Sequence, residues 1–387
     1  MKASKVKQLE KKHVVQTYTR AGFVLEKGKD CYVFDKEGKK YLDLVGGIAC
    51  TPIGHGNNYL ASKVFEQAKK LLNVSNLYYT EPQVELAEKL AKLSGLDKCF
   101  FCNSGAEANE AAIKLARKYA GKTQIIVMSH GFHGRTFGAL AATWKPKIKK
   151  PFTPLVPGFK FVKYNDVKAI EKAISKKTAA VMLEPIQGEA GIIVPDKDYL
   201  KKVSAICKKK KVLLVLDEVQ SGNGRTGEYF CFKHSKIKPD IVTLAKGVAN
   251  GIPMGVMIAS NKVASGFGKS DHASTFGGNN LASAAANATI DFILKKKLMK
   301  NAVKAGDYFI NKLNQLKSNK KSIKEVRGKG LMIGVELKEE VKPIVEKCYK
   351  KGFIINACGK HVLRFLPPLT IKKKQIDSVI KALGEVL

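Results

Sequence analysis

Arginine is nearly absent from this chain. Of 69 basic residues only Arg20, Arg117, Arg135, Arg225, Arg327 and Arg364 are arginine; the rest are lysine. Acids are scarce as well, 33 against 69, which leaves a formal net charge of +36. Such a charge raises nucleic acid as a partner. The lack of arginine argues against a specific site, because base and phosphate recognition favours a two-pronged donor. The lysines also run through nearly every segment, as in Lys208–Lys211 and Lys295–Lys297, with no interleaved aromatics. A lysine-rich solvated surface is the simpler reading, with weak salt-dependent attraction to polyanions and no specific nucleic-acid partner. Scarcity makes each surviving arginine informative: it marks a place where a planar, forked donor is required.

Long apolar runs are missing too, so no membrane span is expected. The start, MKASKVKQLEKKHVV, is basic but lacks the apolar core of a signal peptide; it holds an acid and no arginine, unlike a transit peptide. The expected location is the cytoplasm. Eight cysteines are dispersed over 387 residues, which is no disulfide framework. Cys99-Phe-Phe-Cys102 has redox or zinc spacing, but no second pair completes a zinc site. On a strand its two thiols point to opposite faces, so buried, unpaired thiols are expected. His130 and His133 lack any HExxH context, and no metal is expected.

What the chain does have is alternation. Apolar strand candidates at Cys99–Phe101, Gln124–Met128, Ala179–Leu183, Val212–Leu216, Ile241–Ala245 and Gly255–Ala259 are separated by helical patterns. After Ser104, apolar residues at 108, 111, 112, 115 and 116 share one helix face. This is an α/β fold with a mainly parallel central sheet, covered on both faces. From about residue 284 the pattern changes to helices and short strands, a smaller α+β domain. The expected organisation is a segment 1–50 packing with the small domain, a large domain 51–283, and the small domain 284–387.

Ligands of open α/β sheets bind beyond the carboxyl ends of the strands. After Cys99–Phe101 comes Ser104-Gly105-Ala106-Glu107, a capping box that can also seat a phosphate on free N–H groups. After Gln124–Met128 comes GFHGR, where Phe132 is an exposed ring for stacking and Arg135 a grip for a carboxylate. After Ala179–Leu183 comes EPIQGE, with Glu184 and Glu189 about a turn. After Val212–Leu216 comes Asp217, a carboxylate that burial makes costly unless it is paired. After Ile241–Ala245 comes Lys246, one of very many lysines but placed at a strand end before Gly247. Burial lowers a lysine's pKa and makes it a nucleophile toward aldehydes. A phosphate seat, a stacking ring, a buried acid and an imine-forming lysine together describe pyridoxal 5′-phosphate.

NSGAEANEAAIKLAR, GFHGRT, EPIQGEAG, LDEVQSGNGRTG, LAKG, STFGGN and LRFLPPL, in this order, resemble the class III aminotransferases, of fold type I among pyridoxal-phosphate enzymes. The resemblance covers nearly the whole chain. Within the class, TYTRAGFVLEKG, YLDLVGGIA and VSNLYYT are most similar to the acetylornithine aminotransferases. That implies transfer of an amino group from N2-acetylornithine to 2-oxoglutarate by a homodimer with shared active sites. By resemblance, Lys246 is the Schiff-base lysine and Asp217 the partner of the pyridine nitrogen. Val219 and Gln220 lie near the ring hydroxyl, with Glu184 also at the cofactor, and Phe132 stacks on the ring. Ser104, Gly105 and Ala106 hold the phosphate, joined by Ser274 and Thr275 of the neighbouring subunit. Arg135 grips the carboxylate of the ornithine-type substrate, and Arg364, with Glu189 as a reversible ion-pair partner, that of glutamate or 2-oxoglutarate. Ser75, Asn76 and Tyr78 are candidates for the acyl group.

Two departures stand out. Gly56-Asn57-Asn58 replaces the usual His-Pro after Gly54-His55, and Ser221 replaces Thr or Cys. Ornithine, succinylornithine, 4-aminobutyrate and LysW-linked aminoadipate semialdehyde remain alternative substrates, and a basic nucleic-acid-binding protein without catalysis is the alternative of a different class.

Overall fold

The computed structural model describes all residues, Met1–Leu387. Its centre is a seven-stranded sheet in the order Lys98–Cys102, Gly255–Ala259, Ile241–Leu244, Leu213–Asp217, Thr178–Leu183, Gln124–Met128, Phe159–Val162. Gly255–Ala259 runs antiparallel to both neighbours. All other adjacent pairs are parallel. The inner strands are buried on both faces, Thr178–Leu183 and Leu213–Asp217 throughout, which is why they read as unbroken apolar runs rather than alternations. The expected α/β class with a mainly parallel sheet is therefore present.

Helix Gly105–Ala120 lays its Ala108, Ala111, Ala112, Leu115 and Ala116 stripe on this sheet. Small side chains let the helix come close. Ser104 starts it, accepting the Glu107 N–H at 3.2 Å, and Gly121 ends it in the left-handed conformation.

Two further sheets flank the centre. The first, Leu25–Lys29, Tyr32–Asp35 and Lys40–Asp43, is completed by Phe353–Ile354 from near the other end of the chain, paired parallel to Lys40–Asp43. The second joins Ile323–Lys329, Met332–Leu337, Val362–Phe365 and Asn356–Cys358, all antiparallel. The change of pattern read at 284 does not coincide with a break. Helix Asn280–Lys295, capped by Asn279, runs straight through 283/284. Its buried Ala282, Ala285, Ala286 and Ala288 pack it among helices Asn58–Lys70 and Glu81–Ser94. The chain turns away at Lys297, which is left-handed (φ 52°).

All eight cysteines are free thiols, and Phe100 and Phe101 separate Cys99 from Cys102 on one strand. No helix is long and apolar enough to cross a membrane, and no cluster of three or more His, Cys, Asp or Glu side chains is placed to hold a metal ion.

Candidate active site

The carboxyl ends of the parallel strands open into a cleft of about 380 Å³. Its lining brings together Ser104, Gly105, Ala106, Phe132, Arg135, Glu184, Glu189, Asp217, Val219, Gln220 and Lys246, residues separated by up to 142 positions in sequence. Each comes from the last residue of a strand or from the turn that follows it, so the sheet itself assembles the group.

Asp217 is the last residue of its strand and is buried. Its Oδ2 accepts from Asn109 Nδ2 at 2.8 Å and from His133 Nδ1 at 2.7 Å; its Oδ1 accepts the Val219 N–H at 3.0 Å. Three donors compensate the desolvation that burial imposes on a carboxylate. His133 was read from sequence only as half of an improbable metal pair, yet its ring serves Asp217. Burial pushes the imidazole pKa down, but the bond and charge of Asp217, with Glu184 behind, outweigh it and the net direction is up.

Glu184 follows the neighbouring strand. Its Oε1 accepts the Phe132 N–H at 3.0 Å and its Oε2 the Gly188 N–H at 2.9 Å, so one acid fixes two loops at the cleft wall. Burial and the charge of Asp217 push its pKa up to about 7. Lys246 sits half-buried one residue beyond the extended Ala245, itself left-handed (φ 49°), and heads a short 3₁₀ turn, Lys246–Ala249. The backbone thus breaks out of the sheet direction at the lysine, and the side chain lines the same cleft as Asp217.

At another wall of the cleft, Ser104 caps a 16-residue helix that begins with Gly105 and Ala106. A Cβ at Gly105 would lie 2.8 Å from Val219 Cγ1 and 2.9 Å from Cγ2. Only glycine lets the helix start approach the wall formed by Val219. Asn103, to which the sequence reading gave no role, donates through Nδ2 to Glu107 Oε1 at 3.1 Å and Ser274 Oγ at 3.2 Å.

The arginines occupy different settings. Arg364 is 2% exposed. Its Nη1 donates to Glu189 Oε1 and, at 3.2 Å, to Gln220 Oε1; its Nε donates to Asn356 Oδ1 at 2.9 Å. Gln220 Nε2 in turn reaches Glu189 Oε1 at 3.3 Å. Burial pushes the Glu189 pKa up, but Arg364, and Lys246 more distantly, hold it below the ordinary carboxylate value. Arg135 is exposed at the cleft mouth with its guanidinium 5.6 Å from the centre of the Phe132 ring and no acid partner.

Six expected site residues are not part of this cleft's lining. Arg364 reaches it through Glu189, and Ser274 lies half-buried beside Asn103. Thr275 is exposed, and so are Ser75 and Tyr78. Asn76 is used structurally: its Nδ2 donates to the Gly277 carbonyl at 2.9 Å and its Oδ1 accepts from Gln83. The largely apolar VSNLYY stretch carries no sequence signal that it runs over the surface. Asn109 was missed although a signal existed, a lone amide inside an alanine-rich helix. The GNN departure is local: Asn57 accepts the Leu60 N–H at 3.1 Å and caps a helix, while a Cβ at Gly56 would strike the Gly28 carbonyl at 2.5 Å. Ser221 is buried with its hydroxyl unpartnered.

A sheet-end cleft with a buried, triply bonded acid, a lysine at a break in the backbone and a glycine-started helix defines an aminotransferase of the pyridoxal-phosphate type. The family model "Aminotransferase class-III" matches residues 14–387, and the chain belongs to that family. Among curated proteins it is 50% identical over 386 residues to the acetylornithine aminotransferase of Methanocaldococcus jannaschii, covering 98% of this chain and 96% of the relative. It is 45% identical to that of Methanothermobacter thermautotrophicus, covering 100% and 99%. Among solved structures, the ornithine aminotransferase from Toxoplasma gondii ME49 superimposes with a TM-score of 0.96 at 30% identity, covering 100% of this chain and 95% of the other. Acetylornithine aminotransferase from Elizabethkingia anophelis gives 0.89 at 33%, covering 100% and 99%.

The cofactor is pyridoxal 5′-phosphate. The donor set fits it. The cradle at Gly105 accepts no Cβ, a cationic ring nitrogen suits the desolvated acid Asp217, and an amine stands in the same cleft.

Proposed function

We propose that the protein moves the terminal amino group of N2-acetylornithine to 2-oxoglutarate, giving N-acetylglutamate 5-semialdehyde and glutamate, as a cytoplasmic step of arginine biosynthesis. The observation that carries this reading is the pair of unlike arginines. Arg135 is open at the mouth, whereas Arg364 is buried and tied to Glu189. Two substrates with different carboxylate patterns share one site. A fixed, free cation suits the single carboxylate of acetylornithine, and a masked one suits the second carboxylate of 2-oxoglutarate. Glu189 has to be half-buried and mobile enough to leave, since Arg364 without any anion would be an unpaired buried charge.

When bound, the cofactor supplies an aldehyde that takes up amino groups and a ring that accepts electrons from the substrate carbon. Asp217 holds the ring-nitrogen end, Ser104, Gly105 and Ala106 the phosphate end, and Phe132, Val219 and Gln220 the faces and edge between. Lys246 anchors the aldehyde end and moves the proton at the reacting carbon.

The same reading includes a homodimer. Thr275 is exposed outside its own cleft, next to exposed Phe276 and, through the Asn76–Gly277 bond, next to exposed Leu77, Tyr78 and Tyr79. An apolar patch of that kind is covered in a stable assembly. Covered by a second copy, it brings Ser274 and Thr275 to the partner's phosphate, and Ser75, Asn76 and Tyr78 to the partner's cleft mouth.

The test is the ratio of kcat/KM for acetylornithine to that for free ornithine, with succinylornithine and 4-aminobutyrate alongside. A preference for acetylornithine of at least tenfold, about 1.4 kcal/mol of transition-state discrimination, is expected. Equal or greater rates with any of the others would reject the assignment.

A further inference from the structure

Asp217 does not stand alone, and its supporting groups have a fixed logic. Helix residue Asn109 is 1% exposed, and its Nδ2 donates both to Asp217 Oδ2 at 2.8 Å and to the His133 carbonyl at 2.7 Å. A carbonyl can only accept, so the amide nitrogen must face this side and the amide oxygen the other. On that other side Thr243, fully buried on the adjacent strand Ile241–Leu244, donates its hydroxyl to Asn109 Oδ1 at 2.8 Å. Thr243 has no second side-chain partner, and Asn109 Oδ1 has no second donor. The hydroxyl therefore has one function in the fold, which is to hold the amide the right way round.

We propose that Asn109 and Thr243 are positioning residues that act through Asp217: Thr243 locks the Asn109 amide, and the amide with the His133 ring holds the Asp217 carboxylate in place with Oδ1 toward the cleft. The proposal rests on the reading that Asp217 faces the ring nitrogen of the cofactor. Both supporting donors converge on Oδ2. Oδ1 accepts only the Val219 N–H, 3.0 Å away, and retains a lone pair for a cationic N–H. Without the two donors nothing else in the fold fixes Oδ2, and the ring nitrogen would face a carboxylate free to turn away.

Thr243→Val keeps the shape, removes the hydroxyl and leaves a buried amide oxygen unpaired. The holoenzyme loaded with ¹⁵N-labelled cofactor reports ring-nitrogen protonation directly by its chemical shift. In Thr243→Val we expect that shift to move toward the unprotonated value and kcat to fall about tenfold or more, with KM for either substrate within a factor of two to three. Thr243→Ser, which restores a hydroxyl, should recover both. Asn109→Ser should reproduce the Thr243→Val shift, so the idea stays open to test if the valine variant folds poorly. A ring nitrogen as protonated in Thr243→Val and Asn109→Ser as in the wild type would overturn the proposal. Asp217→Asn separates the two levels: if that variant also leaves the nitrogen protonated, the premise that Asp217 faces it fails; if it does not, only the role of Asn109 and Thr243 is at stake.

Discussion

The acids beside the cleft differ in what burial does to them. Asp217 is surrounded by donors, but Glu218, the next residue, is turned the opposite way into the core. It accepts the Cys231 N–H at 2.6 Å and the Phe232 N–H at 2.7 Å, with no cation nearby, and burial pushes its pKa up to about 8. The folded state therefore binds a proton more tightly than the unfolded chain does. Stability from this group is complete below the ordinary glutamate value of about 4.5 and is lost as pH rises through about 8. Between those limits the slope approaches 1.4 kcal/mol per pH unit for one proton. Glu218→Gln removes the titration. We expect its melting temperature to depend less steeply on pH between 5 and 8 than that of the wild type, even though the variant is less stable at pH 5; an unchanged slope would assign the dependence elsewhere. Glu184 contributes with the same sign up to about pH 7.

Helix Gly105–Ala120 shows how an element can be fixed at one point. Gly105→Ala places a methyl against Val219, whose branched side chain has little freedom to move aside. We expect cofactor affinity to fall about tenfold or more, measured by titration of the apoenzyme, and Gly105→Ala/Val219→Ala to recover much of the loss. The same helix shows what a sequence can reveal. Its start was legible from Ser104 and Glu107 and its buried face from the alanine spacing, because capping and periodicity are local signals. The inner strands were legible because burial on both faces leaves no polar interruption. Strand Phe159–Val162 was not, because it is short, lies at the sheet edge with Lys160 exposed, and follows a Pro-Gly turn. Strand Ile323–Lys329 was hidden by its charged outer face, Lys324 and Glu325. Within the site, the residues that end strands were read from position alone. Asn109 and Asn356 were not, since the reason for each lies across space, in Asp217 and Arg364. Ser75, Asn76 and Tyr78 lie outside this chain's own cleft, which no local signal could have shown.

At the scale of the whole molecule, the dimer reading makes a prediction that no single chain can satisfy. Lys246→Ala should abolish turnover and the visible absorbance band of the lysine-linked cofactor, and Thr275→Ala should weaken cofactor binding. If Thr275 serves the partner's cleft, refolding the two variants together at equal amounts gives hybrids in which one site regains both groups, roughly a quarter of all sites. Activity should rise above that of either variant alone. Mixtures no more active than Thr275→Ala at its share of the protein would mean that each chain completes its own site.

The molecule also holds a bolt between its parts. Arg225, 2% exposed, donates to the Leu331 carbonyl at 3.2 Å and to the Pro367 carbonyl, one beside the Met332–Leu337 strand and the other just past the strand that carries Arg364. No acid accompanies it, and burial brings its pKa down to about 9. A lysine there would be a single point donor facing two acceptors, and would shed its proton far more readily. The drift of this composition toward lysine thus has a floor set by geometry: Arg20, on the surface with Glu10, is free to follow it, and Arg225 is not.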